Sequence, residues 1–158
     1  MSKAAAFGIF LGGLIAGIFD LTYAIVFSSM HNVPAIKVIQ SVASGVLGNA
    51  AFDGGLKTGI LGIALHFFIA FSWATIFYLA SRKIDFLRQH AILSGLLFGA
   101  MIYAVMYLIV LPVSAYPIKI NFAPSRVAIN LIAHMFLIGL PIALVVRKAR
   151  EHDKNKRA

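Results

Sequence analysis

The sequence predicts an all-α integral membrane protein, a four-helix bundle built from two related helical hairpins with a short amphipathic helix in the first outer loop. Three observations predict it. Four apolar stretches, residues 5–28, 59–80, 91–111 and 127–146, are each close to the ~20 residues that cross ~30 Å of hydrocarbon. They lack strand-like alternation, and only helices or closed barrels satisfy their own backbone in lipid, so helices are expected. A hydrophobic fraction of 61 % and a mean hydropathy of +0.92 leave too little polar surface to cover a soluble globule. The 158 residues read as a single transmembrane domain.

The first span carries small residues on two sides, Gly8, Gly12 and Ala16 on one and Gly13, Gly17 and Ala24 on the other, so neighbouring backbones can approach on both. Such faces suit a compact bundle and a homo-oligomer. It follows a short basic N-region, but Asp20 lies inside it and Ser28-Ser29-Met30-His31 offers no small-x-small cleavage site, so it is expected to stay as a span. The loop from Met30 to Thr58 is too long for a simple connection. Within it Pro34 suits a first helical turn, and Ile36, Ile39, Ala43, Val46, Leu47 and Ala50 recur at helical spacing over about 34–50. Its apolar face must be covered, by the outer headgroup layer or by dipping among the spans, and the interfacial placement is the expected one.

Aromatic residues (Phe67, Phe68, Phe71, Trp73, Phe77, Tyr78) wrap the second span and read as lipid-facing and packing groups. The third span carries Gly95-x-x-x-Gly99, with Tyr103 and Tyr107 stacked one turn apart. Pro112, Pro117 and Pro124 predict a stiff, non-helical second outer loop. On the fourth span Arg126, Asn130 and His134 form a polar stripe at four-residue spacing, and Pro141 predicts a bend that frees the carbonyl of Leu137.

Charge sets the expected orientation. Lys3, Arg82, Lys83, Arg88, Arg147, Lys148, Arg150, Lys154, Lys156 and Arg157 fall on one side; Lys37, Lys57, Lys119 and Arg126 fall on the other. Because basic residues are retained in the cytoplasm during insertion, both termini are expected there, including the basic tail 147–158. The net charge of +9 is thereby accounted for without nucleic acid, since the tail lacks interleaved aromatics and a folded platform. The absence of Cys excludes disulfides and thiolate metal sites.

An internal repeat is visible. Gly13-x-x-x-Gly17 matches Gly95-x-x-x-Gly99, and His66-Phe67-Phe68 matches His134-Met135-Phe136, so the two hairpins read as copies related by an axis along the membrane normal.

Intramembrane ionisable groups mark the candidate site. A carboxylate in hydrocarbon costs at least ~2.5 kcal/mol on insertion scales, so Asp20 is expected to face the interior. Its depth, roughly 5 Å outward of mid-span, matches that of His66 and His134. Asp20, His66 and His134, with Asn130, Tyr103 and Tyr107 around them and Arg126 at the outer mouth, read as a path for a proton or small polar solute. The same residues leave two alternatives open: His66 and His134 as an axial pair for haem, or a structural polar core in an accessory or assembly subunit. No nucleophile elbow, phosphate loop, paired acids or His-Glu zinc helix is present, so neither an enzyme nor a metal site is expected.

From about Leu65 onward the chain resembles the YagU-like family of small bacterial inner-membrane proteins. The resemblance rests on His66-Phe67-Phe68, Gly95-Leu96-Leu97-Phe98-Gly99-Ala100, the Pro112 to Pro117 loop, and Ile132-Ala133-His134 leading into Arg147-Lys148. It implies a bacterial inner-membrane location and draws His66 and His134 forward, without an agreed substrate. Where that family tends to carry a further His in the third span, this chain has Met106 and Tyr107.

Overall fold

The computed structural model describes residues 3–155, with side chains as far as Glu151. Lys154, Lys156 and Arg157 of the basic tail lie, in side chain or entirely, outside the described residues. All regular structure among the described residues is helical. Helix α1 is Lys3–Ser29, and α2 is Ala35–Leu47, followed by a 3₁₀ turn Gly48–Phe52. Helix α3 is Gly55–Lys83 and α4 is the short Phe86–Gln89. Helix α5 runs without a break as Ala91–Val105, a π-helical stretch Met106–Val110 and Leu111–Val113. Helix α6 does the same as Pro124–Ala133, a π-helical stretch His134–Gly139 and Leu140–Asn155.

Among the described residues, five helical segments are long and apolar enough to cross a membrane: α1, Ala35–Phe52, α3, α5 and Pro124–Glu151. These helices are compatible with a membrane protein. The fifth, Ala35–Phe52, has the lowest mean hydropathy, 1.2 against 2.0 to 2.4 for the rest.

Glycine faces set the packing. The Gly8 and Gly12 side of α1 lies against Ala149, Val145 and Ile142 of α6; its Gly13 and Gly17 side lies against Phe71, Phe67 and Ala70 of α3. Gly95 and Gly99 of α5 meet Gly139, Leu140, His134 and Met135 of α6. Both small faces of α1, and that of α5, are therefore consumed inside one chain, and an oligomer would have to use a different surface. Ala16, Ala74, Phe77, Ile102, Ile138, Ile142, Ala143 and Val146 form the buried core. Large apolar side chains point out, Phe68 at 68 % exposure, Leu97 at 57 % and Ile132 at 55 % among them. This arrangement, small inside and large outside, suits a lipid solvent, which gives no hydrophobic gain for burying Leu or Phe and leaves close backbone contact as the main source of cohesion.

The Gly8 to Ala149 contact and the hydrogen bonds from Arg150 to Ser81 bring the start of α1, the α3–α5 hairpin and the last turns of α6 to one end, here the basic end. Helix α2 and the segment after α5 occupy the other, the loop end, joined by the bond from Ala115 N–H to the Gly45 carbonyl.

Two expectations require correction. The side of α2 turned into the protein carries Val38, Gln40, Ala43 and Ser44, while Val46 and Leu47 of the expected covered stripe are exposed. Small and polar residues win that face because the Ile39 carbonyl meets Gly62 of α3, and Gln40 Nε2 donates to the Gly55 carbonyl (3.0 Å) and to Thr58 Oγ1 (3.2 Å). Pro112 and Pro124 are likewise helical rather than loop residues, in the last turn of α5 and at the first position of α6. A first-turn proline loses no hydrogen bond, and the widened π turn before Pro112 accommodates its missing N–H and its ring. The π stretch before Pro141 has the same relation to its proline.

A Cβ at Gly139 would overlap backbone atoms of Gly95 and Gly99, whereas one at Gly45 would sit 3.8 Å from Ser114 Oγ. Gly139→Ala is therefore expected to destabilise the protein by about 1–3 kcal/mol, and Gly45→Ala to leave it unchanged or raise it by up to about 1 kcal/mol. Denaturant titration in detergent checks both, and equal stability of the two variants would contradict the contact.

Candidate functional site

The polar residues of α1, α5 and α6 meet in the loop half of the bundle, where the buried core stops at Ile102 and Ile138. At 1.5 Å per residue Tyr23, Asn130 and Tyr107 are each about 9 Å inward of their helix ends, Ser29, Pro124 and Val113. Asp20, Tyr103 and His134 are about 14–15 Å inward by the same measure. The groups share a layer, and the helix faces bring most of them together.

Tyr23 O–H donates to Asn130 Oδ1 at 3.1 Å, tying α1 to α6. Asn130 Nδ2 donates to the Arg126 carbonyl at 2.8 Å. His134 Nδ1 lies 2.8 Å from the Asn130 carbonyl. A carbonyl only accepts, so Nδ1 carries the proton and, in the neutral ring, Nε2 keeps the lone pair. The His134 ring, 8 % exposed, packs edge-on against Tyr103 (5.4 Å) and Tyr107 (6.0 Å), which lie 4.4 Å apart. Toward the loop end the Arg126 guanidinium sits 5.9 Å over the Phe27 ring, and Phe27 stacks on Tyr23 at 5.6 Å. Asp20 is half-buried, one turn before Tyr23 on α1. Among the described residues none hydrogen-bonds its carboxylate.

His66 stands apart. Its Nε2 lies 2.9 Å from the Gly17 carbonyl and its ring meets Phe67 edge-on at 5.4 Å, which places it in the α1–α3 contact rather than among the α5 and α6 residues. Its depth matches the cluster; its direction does not. Nε2 of His66 is engaged with a backbone oxygen, so the two imidazoles do not present free Nε2 atoms to a common centre as axial haem ligation requires. Among the described residues no three His, Cys, Asp or Glu side chains are grouped to hold a metal ion.

Two members of the cluster, Tyr23 and Phe27, escaped sequence reasoning. The available signal was spacing: Tyr23 is three residues beyond Asp20, hence on its face.

Comparison with family models, with curated proteins and with solved structures found no match.

The Tyr23 to Asn130 bond yields a prediction. A double-mutant cycle of Tyr23→Phe and Asn130→Ala should give a coupling energy of about 0.6–1.7 kcal/mol, the range for hydrogen bonds between membrane helices. Unfolding in detergent measures it; additive effects would remove this bond as a link between α1 and α6.

Proposed function

We propose that this chain conducts a proton or small polar solute across a bacterial inner membrane, through the layer formed by Asp20, Tyr23, Tyr103, Tyr107, Asn130 and His134. The observation that carries the reading is Asp20: a half-buried acid in an apolar helix, one turn from Tyr23, with no hydrogen-bond partner among the described residues. A carboxylate kept only to lock helices would be expected to hold a donor, and an open one is available to a passing ion. His134 supplies the neighbouring base through Nε2, with its tautomer held by the Asn130 carbonyl. Arg126 stands at the loop-end mouth. Asp20 and the Arg126 to His134 stripe then serve the path, and His66 serves by positioning α1 against α3 through the Gly17 carbonyl.

In this reading α1, α3, α5 and α6 are the four spans, and both termini lie in the cytoplasm as the basic residues require. Helix α2 does not span. Gly48, at φ +60°, breaks the segment, and the straight piece Ala35–Leu47 covers only about 20 Å. Its outward Val46 and Leu47 would face lipid at the outer level. The two hairpins as copies draw support from matched contacts. With Gly17 set against Gly99 and His66 against His134, the contacts Gly13 to Phe71 and Gly17 to Phe67 fall in the register of Gly95 to Gly139 and Gly99 to Met135. Relationship to the YagU-like family belongs to the same proposal.

Reconstituted vesicles under an imposed gradient test it. Asp20→Asn and His134→Ala should each lower flux at least about tenfold, or ~1.4 kcal/mol, while keeping the helix content of the parent. His66→Ala should change flux by less than about twofold if folded. Parent-like flux in Asp20→Asn and His134→Ala would leave the cluster as a structural lock in a non-conducting subunit.

A further inference from the structure

The basic end carries a feature unrelated to that layer. A cavity of about 320 Å³ lies between α4 and the last turns of α6, lined by Arg88, Gln89, Arg147, Arg150 and Glu151. Its volume is at the lower end of the ~300–1,000 Å³ of small-molecule sites, room for a compact polar group rather than a long apolar one.

Each arginine is held by something else. Arg150 Nη1 donates to the Ser81 carbonyl at 2.5 Å and to Ser81 Oγ at 3.2 Å, and its guanidinium lies 5.9 Å over the Tyr78 ring. Arg88 pairs through Nη2 with Asp85, and its Nε is buried without a hydrogen-bond partner. Arg147 Nε donates to Glu151 Oε1 at 2.8 Å. Arg82, Lys83 and Lys148 adjoin these groups in sequence. Guanidinium forks match the oxygens of phosphate in a planar, two-point manner, and basic pockets between membrane helices take anionic head groups.

We propose that this cavity binds a phosphate group, with Arg88 and Arg147 as its ligating side chains and Arg150 as a fixed wall. Two sources share that chemistry, the phosphodiester of an anionic lipid and free phosphate. Glu151 opposes binding, because it neutralises Arg147 and turns a carboxylate toward the anion.

The test uses the full chain in detergent, titrated separately with dioleoyl phosphatidylglycerol in mixed micelles and with inorganic phosphate, read as the shift in unfolding temperature. One or both probes should raise it in the parent. R88Q and R147Q should weaken that probe's apparent Kd about tenfold, and R88K, which keeps charge and loses the fork, should recover only part. E151Q should tighten it. Glu151 is largely exposed, so E151Q carries the test even where R88Q does not fold. A response to phosphatidylglycerol alone assigns a lipid headgroup, and a response to inorganic phosphate assigns a soluble phosphate ligand. No shift with either probe, or parent-like affinity in R147Q and E151Q together, overturns the site. Since the readout is binding at the opposite end from Asp20, its failure is separable from failure of the transport reading.

Discussion

Everything in this molecule depends on how closely backbones approach at glycine. Helices packed through ordinary side chains sit 8–10 Å apart. Gly99, against the His134 carbonyl and the Met135 Cα, and Gly139, against Gly95 and Gly99, bring α5 and α6 closer than larger side chains would permit. Tyr103 follows Gly99 by one turn, so that approach also lays its ring against His134. On α1 the same device works twice, toward α6 through Gly8 and Gly12 and toward α3 through Gly13 and Gly17. The carbonyl of Gly17 is thereby accessible to His66, because Gly17 itself carries no side chain to cover it. Contact of this kind is dispersion at short range, and it replaces the hydrophobic term that a lipid solvent does not supply.

The prolines shape what the glycines bring together. In both α5 and α6 a π-helical stretch ends two residues before a proline, at Val110 before Pro112 and at Gly139 before Pro141. A proline inside a helix lacks its donor and presses on the carbonyl four residues back, and a wider turn relieves both. The extra residue in that turn shifts the phase of what precedes it by about 100°. Tyr107 lies within one such stretch and His134 opens the other, so the orientation of each ring reflects a proline one to two turns away.

That phase explains which parts of the site were legible beforehand. Depth follows from counting at 1.5 Å per residue, and Asp20, His134 and Tyr103 do fall at one level, with Tyr107 a turn nearer the loop end. Direction around a helix demands knowing which neighbour it meets, and there the apolar pattern is mute, since every face of these helices is apolar. His66 illustrates it: level with His134, on a helix ending in the same part of the molecule, yet directed at the α1 backbone. The inner face of α2 was illegible for a related reason. Hydrophobic periodicity locates the inside of a soluble helix, but in lipid the outside is equally apolar, and small size and hydrogen-bonding capacity, in Ala43, Ser44 and Gln40, are the better guides. Glycine pairs, which signal size rather than polarity, were informative for that reason.

The distribution of hydrogen bonds within the polar layer bears on its purpose. Tyr23, Asn130 and His134 satisfy one another and the backbone, and such a set alone would be a lock between α1 and α6. Asp20 stands outside that set. Asp20 raises the insertion cost of α1 by at least ~2.5 kcal/mol, and no hydrogen bond among the described residues returns any of it. In the proposed reading, that open carboxylate is what a passing proton or solute meets. In that reading the satisfied residues hold His134 in one tautomer and Tyr23 in one place, so that whatever reaches Asp20 meets a fixed arrangement of donors and acceptors rather than a mobile one.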